Sequence, residues 1–487
     1  MKVRSISVLL MLVMLLAACG DGASSAGSDT TADAGTTADT TAPEPQYTGE
    51  LPDLGGYEFT FLNQNDVFWT GTHHTLDYES ETGDLYSDAV YQRNREAEEK
   101  LNFKIKVEKS DLSTMRADME KLVASGDDVY DAVYLPLHFG GASSFGSDSV
   151  LNLNTVDTLQ LDQPWWNKSF IESATMKGDV LYTTIDYVNL MGYCFANVLC
   201  FNQDMMNNLG VDVSLYDLVR EGTWTMDAMN TYMKMAVNMG SQSDFAPKVA
   251  GDAVYGFACQ HEEGPLMLTQ GSGSYLMVMN EERLPALAED MTRLSNVCDK
   301  LTSMLSEPGS CVMTNVPGSE QGQGIDYFLN GRSLFYHSTL GAADSQRFRE
   351  MANEFGILPA PKYDETQDRY YTNLSQYTFA LNIPKSAKDP ARTGTVIDYL
   401  AFLSYNDVMP VLQQSLCYKG MRNDDSIEMM NLILETEIVD LTVATGIGND
   451  TINGICGSIV KGNLKFASTI ASKEKMINSK IDKLFGE

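Results

Sequence analysis

The chain has 487 residues, of which 43% are apolar, 9% aromatic and 21% charged, which is an ordinary globular composition. Its length exceeds that of one typical core and predicts two or more domains. The 66 acidic and 34 basic residues give a formal net charge of −32. A field of this sign repels phosphate, so the composition argues against a nucleic-acid partner and against direct docking on an anionic membrane surface.

Residues 1–19 have the layout of a secretory signal. Lys2 and Arg4 precede an apolar run that is well short of the ~20 residues a membrane-spanning helix needs. The run ends in Leu16-Ala17-Ala18-Cys19, which resembles the bacterial lipobox. That resemblance implies cleavage before Cys19, a diacylglyceryl group on its thiol and further acylation such as palmitate, which together anchor a protein stably. The alternative is an ordinary signal cleaved at a small residue, with Cys19 incidental.

Residues 20–50 contain no Lys or Arg and almost no large apolar side chain. Such a segment cannot bury enough surface to offset its ordering entropy. It predicts a disordered acidic tether, stiffened near its end by Pro43 and Pro45.

Strands and helices alternate in the next part of the chain. The apolar periodicity predicts strands at 57–62, 103–107 and 130–135, separated by helices at 84–101 and 111–125. Asp84 is placed to cap the first helix and Gly126 to end the second. This order implies a parallel sheet, in which ligands bind beyond the carboxyl ends of the strands, here 63–74 and 136–146.

The pattern changes near residue 180. Short strands are expected at 179–183 and 198–201, and helical segments dominate from 203 to 305. Further strands are expected at 334–336, 355–359 and 378–382, before a mostly helical C-terminal part.

Familiar catalytic and metal motifs are missing from the sequence. His261-Glu262-Glu263-Gly264 lacks the second His of a zinc-protease motif, and there is no GxSxG, P-loop or EF-hand loop. The sequence therefore predicts no metal, no cofactor and no catalytic residue. Two carboxylates of a glycosidase remain an alternative, because 66 acids supply many pairs.

Seven cysteines remain beside Cys19, and none forms a CxxC motif, which argues against zinc-ribbon and thioredoxin-like sites. An odd number leaves at least one unpaired. Cys298 with Cys311 is one candidate disulfide, and buried unpaired thiols are the alternative.

Seven segments, in this order and spacing, carry a resemblance to a known family: Leu85–Asn94, Pro164–Asn167, Gly178–Tyr182, Glu221–Thr225, Phe328–Phe335, Phe355–Asp364 and Asn382–Lys385. They resemble the lipid-anchored extracellular solute-binding proteins of bacterial ABC importers, in the carbohydrate-binding branch. The similarity spans about residues 57–440 and carries no catalytic residue.

The resemblance implies an α/β, two-lobed periplasmic-binding-protein-like (type II) fold, with hinge strands and a cleft that closes on its ligand. Expected boundaries are 51–185 plus 378–440 for lobe I and 186–377 plus 441–487 for lobe II. It further implies a monomeric, non-enzymatic receptor without a cofactor on the extracellular face of the membrane. Such a receptor captures a mono- or oligosaccharide and delivers it to permease subunits.

Aromatic rings suit the apolar faces of a sugar, and planar polar groups suit its hydroxyl pairs. Side chains of these types lie after the first strand, near the expected lobe crossings and at later strand ends. The candidate ligand contacts are Asn63, Trp69, His73, Asp77, Trp166, Asp186, Tyr187, Tyr336 and Tyr377. The alternatives are a ring packed on its own loop for Trp69, an exposed loop histidine for His73, core packing for Trp166, and strand packing for Asp186 and Tyr187.

Two other functions remain open from the sequence. One is a surface-tethered glycoside hydrolase that uses two carboxylates. The other is a peptide-binding or adhesin lipoprotein, for which a cleft lined by charge and backbone donors, without an aromatic platform, is expected.

Overall fold

The computed structural model describes residues 45–65, 75–137, 149–343, 345–416 and 424–485. The signal segment, Cys19, most of the expected tether, Trp69 and His73 lie outside these residues. Residues from Pro45 onward form one unit. Tyr47 belongs to it, with its ring 5.0 Å from that of Tyr399 and 6.0 Å from that of Trp165. The folded unit therefore includes the last residues of the segment expected to be a tether.

The first sheet confirms the predicted alternation at the start of the chain. It contains β1 (Tyr57–Gln64), β2 (Phe103–Ser110) and β3 (Ala132–Pro136), joined by α1 (Leu85–Leu101) and α2 (Met115–Ser125). β1 pairs in parallel with both β2 and β3. A strand from much later in the chain, β14 (Phe379–Asn382), completes the sheet antiparallel to β3.

The ends of α1 and α2 follow from their capping residues. The Asp84 side chain accepts a hydrogen bond from the Ser87 amide at the start of α1. Asn102 ends that helix in the left-handed region with φ 50°, and Gly126 ends α2 with φ 75°. The buried stripes of both helices pack on the first sheet, where Phe59 and Phe61 are buried.

The second sheet has the order β12-β4-β11-β5-β8. β11 is its centre, antiparallel to β4 and parallel to β5, and β5 is in turn parallel to β8. The strands are β4 (Asn197–Asn202), β5 (Tyr255–Cys259), β8 (Cys311–Met313), β11 (Ser333–Thr339) and β12 (Phe355–Leu358).

The remaining helices and short strand pairs pack around the two sheets. Between residues 168 and 349 they are α3 (Lys168–Ala174), α4 (Met191–Cys194), α5 (Gln203–Asn208), α6 (Leu215–Arg220), α7 (Met226–Ala236), α8 (Glu263–Gly271), β6 (Met277–Met279), β7 (Pro285–Leu287), α9 (Thr292–Leu305), β9 (Asn315–Val316), β10 (Gly322–Gln323), α10 (Gly324–Leu329), α11 (Leu340–Ala343) and α12 (Gln346–Arg349). From residue 372 they are β13 (Thr372–Asn373), α13 (Pro390–Leu403), a π-helical turn (Ser404–Val408), α14 (Met409–Ser415), α15 (Asp424–Glu435), β15 (Glu437–Ile438), α16 (Leu441–Thr445), α17 (Asn449–Val460) and α18 (Phe466–Phe485).

Helices dominate residues 203–305 as expected, although β5, whose five residues are all buried, also lies there. Two other expectations in this region were wrong. Residues 179–183 form no strand, because only the isolated Met176–Val180 bridge pairs them. Cys298 and Cys311 are unpaired, since Cys298 lies in the buried face of α9 and Cys311 in β8.

Two segments connect the sheets. The first, residues 184–196, contains the short helix α4 and leads to β4, and the second, residues 374–378, leads to β14. Isolated antiparallel bridges join Thr184 to Leu381 of β14 and Ala196 to Leu374. We call these segments the first and second crossings. Among the described residues, no helix is both long and apolar enough to span a membrane.

Candidate functional site

A chain of hydrogen-bonded polar side chains lies where the second crossing meets the second sheet. Asn449, the first residue of α17, donates from Nδ2 to Gln376 Oε1 at 3.0 Å. Gln376 in turn donates from Nε2 to Glu263 Oε1 at 3.3 Å. Glu263 begins α8, directly beyond the carboxyl end of β5, and its burial raises the pKa of its carboxyl to about 6.

Tyr377 lies next to this chain and is only partly buried. Its ring centroid is 6.5 Å from that of Phe195 in the first crossing. Burial, and then the nearby Glu263 carboxylate, raise the pKa of the Tyr377 phenol, which keeps it a neutral hydrogen-bond donor. The two crossings thus present an aromatic ring beside hydrogen-bonding groups.

Asp186 and Tyr187 lie in the first crossing. The buried Asp186 carboxylate accepts hydrogen bonds from the Tyr134 hydroxyl at 2.8 Å and from the amides of Val188 and Asn189. Burial nevertheless raises the pKa of Asp186 to about 6. Tyr187 is partly buried and packs edge-on against Tyr405, with ring centroids 5.5 Å apart.

A third buried carboxyl, Glu437 of β15, lies beside the crossings. It accepts a hydrogen bond from Asn167 Nδ2 at 2.7 Å through Oε2, whereas its Oε1 has no partner among the described residues. Burial raises the pKa of this carboxyl to about 8. Glu437 is therefore mostly protonated at neutral pH.

Two candidates lie at or after the carboxyl end of β1. Asn63 is a buried residue of the strand itself, and Asp77 accepts hydrogen bonds from Asn94 Nδ2 and Arg95 Nη2, both at 2.8 Å. Beside Asn63, the side-chain amide of Gln64 is fully buried, and neither of its polar atoms has a partner in the described part of the chain. Gln64 therefore offers unused hydrogen-bonding capacity at this sheet end.

Trp166 and Tyr336 are packed inside the protein. Trp166 is 2% exposed and donates from its indole nitrogen to Asp398 at 2.9 Å. Tyr336 is 5% exposed in β11, with its ring stacked 5.6 Å from that of Phe328. In this arrangement neither ring has a face on which a sugar could stack.

The overall architecture is that of known sugar-binding receptors. No protein-family model and no curated protein sequence matches the chain. An ABC substrate-binding protein from Listeria monocytogenes in complex with cycloalternan matches at TM-score 0.56 and 14% identity, over 88% of this chain and 99% of the other. The fold is two-lobed and periplasmic-binding-protein-like.

Two further solved structures agree. The GacH receptor of Streptomyces glaucescens, whose structures include a complex with acarbose, matches at TM-score 0.55 and 11% identity, over 89% of this chain and 99% of its own. An ABC transporter solute-binding protein from Thermotoga lettingae bound with alpha-D-tagatose matches at TM-score 0.54 and 13% identity, over 88% and 100%. We call the parts built on the first and second sheets the first lobe and the second lobe.

The structure brings some of the predicted site residues together and separates others. Asp186, Tyr187 and Tyr377 lie in the crossings, Asn63 and Asp77 lie in the first lobe, and Tyr336 lies in the core of the second. Sequence reasoning missed Glu263 and Glu437, and it did not identify the hydrogen bonds that join Gln376 to Glu263 and Asn449. The position of Glu263 directly after a strand was its available signal, but the strand itself was not recognised. Among the described residues, no group of three or more His, Cys, Asp or Glu could hold a metal ion.

Proposed function

We propose that the protein captures a sugar or oligosaccharide between its two lobes and passes it on chemically unchanged. The observation that carries this proposal is the pair of crossings, which place the partly exposed Tyr187 and Tyr377 between two separate sheets. The polar chain Glu263–Gln376–Asn449 adds planar hydrogen-bonding groups beside Tyr377. Aromatic faces next to planar polar groups match the chemistry of a sugar.

Trp69 and His73 extend this proposal from the sequence. They follow β1, whose carboxyl end carries Asn63 and the buried Gln64 amide, which has no partner among the described residues. We assign Trp69 as a stacking platform. Asp77 is a weaker contact in the proposal, because Asn94 and Arg95 already occupy its carboxylate.

The proposal also covers the cellular setting. The lipobox-like Leu16-Ala17-Ala18-Cys19 supports a signal peptide and a lipid anchor at Cys19 on the extracellular face of the membrane. The cargo would then pass to the permease subunits of an ABC importer. Fatty-acid labelling tests the anchor: Cys19→Ala is expected to abolish labelling and release the protein, and persistent labelling would contradict the assignment.

Titration calorimetry tests the capture itself. The full chain is titrated with maltotetraose, acarbose, cycloalternan, tagatose and a control peptide mixture, and each sugar is recovered for mass spectrometry. We expect a sugar to bind with Kd near micromolar, about −8 kcal/mol, and to be recovered intact. Cleaved sugar would point to a hydrolase, and binding of peptides alone would point to a peptide receptor.

Two variants locate the site. Tyr377→Ala and Trp69→Ala are each expected to weaken sugar binding about tenfold or more by removing a stacking face. Tyr232→Ala is the matched control, because Tyr232 is also a partly buried tyrosine but lies on α7 of the second lobe. Unchanged affinity in either test variant would remove that residue from the site.

A further inference from the structure

A small hairpin of the second lobe reaches a helix of the first. β6 and β7 pair antiparallel with each other, and residues 280–284 form the tip that joins them. Arg283 Nη2 at this tip lies 2.6 Å from two backbone carbonyl oxygens, those of Glu172 and Thr175 at the end of α3. The Arg283 carbonyl also accepts a hydrogen bond from the Lys177 amide at 2.9 Å. We call this set of contacts the clasp.

Both ends of α3 are fixed to the first lobe. Before the helix, the indole nitrogens of Trp165 and Trp166 donate to Asp398 of α13, which packs against α1. After the helix, the Leu153 amide donates to the Leu181 carbonyl at 2.7 Å, and the Leu151 amide pairs with Ile383 just beyond β14. These contacts join the segments that flank α3 to the first lobe, while α3 itself also packs against β15 and α16.

The hairpin is fixed to the second lobe. It lies between α8 and α9 in sequence, and α8 packs on β5 and β11 of the second sheet. At its base, the Ala288 amide donates to the Leu276 carbonyl at 3.0 Å. A groove of about 640 Å³ lies between the hairpin and α18, and α18 also contacts β7 directly. A two-stranded hairpin of this length is marginal alone, and contacts at its tip help to fix it.

The chemistry of the clasp is specific to a helix end. The last carbonyls of a helix have no partner within it, and the helix dipole favours a cation there. The Arg283 guanidinium supplies both a positive charge and donors to two of these oxygens. One side chain thus satisfies groups on the opposite lobe that water would otherwise solvate.

The tip places Arg283 in an unusual backbone conformation. Arg283 has φ 61°, a left-handed conformation that glycine or asparagine adopts more readily. The tip holds this shape because Asn280 Oδ1 accepts from the amides of Glu282 and Leu284. A glycine at this position would therefore keep the turn and lose only the contacts of the arginine side chain.

We infer that the clasp sets the balance between arrangements of the two lobes, by stabilising the arrangement in which Arg283 reaches α3. Bonds made in one arrangement and absent from the others shift the population toward it. The relevance of this balance to sugar capture rests on the proposed function. The clasp requires only that Arg283 and α3 belong to different lobes, and it can be tested without any sugar.

The test measures the distance between the lobes in the full chain. Nitroxide labels are introduced through a noncanonical amino acid at the exposed positions Lys100 on α1 and Asp299 on α9, and their distance distribution is recorded by pulsed electron paramagnetic resonance. Arg283→Gly removes the side chain and suits the left-handed backbone, so the fold is retained. We expect the ratio of the clasped arrangement to all others to fall about 3- to 10-fold.

Two further variants make the result decisive. Glu281→Gly changes the same tip at an exposed residue for which no contact with α3 is described, and it should leave the distribution as in the wild type. Arg283→Lys keeps the charge but not the planar fork, and an intermediate distribution is expected. An unchanged distribution in Arg283→Gly, or an equal change in Glu281→Gly, would overturn the clasp. Because no sugar is present, neither outcome bears on whether a sugar binds.

Discussion

Two buried carboxyl groups, bound by neighbouring residues, have very different surroundings. Asp398 of the first lobe accepts hydrogen bonds from the Gln160 amide and side chain and from the indoles of Trp165 and Trp166, at 2.8–3.0 Å. Glu437, beside the crossings, receives a single hydrogen bond, from Asn167, and one of its oxygens has no partner in the described part of the chain. The first group joins residues 160, 165 and 166 to α13 within the first lobe, whereas the second lies beside the crossings between the lobes.

This difference indicates which parts of the molecule can rearrange at a low cost in free energy. The Asp398 carboxylate accepts four hydrogen bonds, so its removal leaves several donors unpaired at once. This is among the most destabilising changes in a protein interior. The Glu437 carboxyl makes a single described hydrogen bond, so it contributes little to stability. The segments around it can therefore change position with the loss of only that bond. We therefore expect mutations at the two groups to differ in size and in sign.

The largest effect is expected at Asp398. Asp398→Ala leaves two buried indole donors and two partly buried donors of Gln160 without their acceptor, and it should lower the free energy of unfolding by about 3–5 kcal/mol. Urea unfolding followed by tryptophan fluorescence measures this. Asp299→Ala, at an exposed site on α9, is the control and should change stability by less than about 0.5 kcal/mol. A small effect at Asp398 would show that its hydrogen bonds contribute little to the stability of the first lobe.

Glu437 should show the opposite sign. Its pKa is about 8 in the folded protein and near the ordinary 4.5 when unfolded, so the unfolded state loses this proton first. Its contribution to stability therefore falls as pH rises from about 4.5 to 8 and then levels off. Glu437→Gln removes this loss, and at pH 8 the variant should gain about 2–4 kcal/mol over the wild type relative to the difference at pH 4.5. Parallel pH profiles of the two proteins would contradict the assignment.

Glu263 sharpens the comparison, because Gln376 donates to it and its pKa is raised only to about 6. The folded carboxyl again keeps its proton to a higher pH than the unfolded one. Its destabilisation of the folded state therefore grows only between about pH 4.5 and 6. Glu263→Gln should therefore gain about 1–2 kcal/mol across that window and no more above it. Urea midpoints at pH 4.5, 6 and 8 separate this window from that of Glu437. A gain that continues to pH 8 would place the titrating group elsewhere.

The first sheet was predictable because its parallel contacts join segments close in sequence. Asp84, Asn102 and Gly126 mark the helix ends by their own chemistry. β5 was missed because a short strand buried on both faces has no alternation, and Gly256 weakens its strand signal. The hydrogen bonds to Asp398 could not be predicted from the sequence for another reason, since 232 residues separate Trp166 from Asp398.

The site was harder to predict than the fold. Glu437 lies in the sequence Glu-Thr-Glu-Ile-Val-Asp, which has the composition of a solvated turn, and only its packing beside Asn167 buries it. Trp166 has the residue type expected to stack on a sugar, yet its indole nitrogen donates a hydrogen bond to the buried Asp398. Residue type indicates what a side chain can do, but burial decides which role it takes.

The smallest effect is expected at the exposed edge of the clasp. Lys177 Nζ lies 3.4 Å from Glu282 Oε2, but the two side chains are 49% and 67% exposed, so solvent screens their attraction. Lys177→Ala should lower the free energy of unfolding by less than about 0.5 kcal/mol, and raising the salt concentration should remove even that. The backbone amide of Lys177 still bonds to Arg283 in this variant, so the lobe distances should also be retained. A loss as large as that expected for Asp398→Ala would mean that exposed charge, rather than hydrogen bonding to the end of α3, holds the lobes at this point.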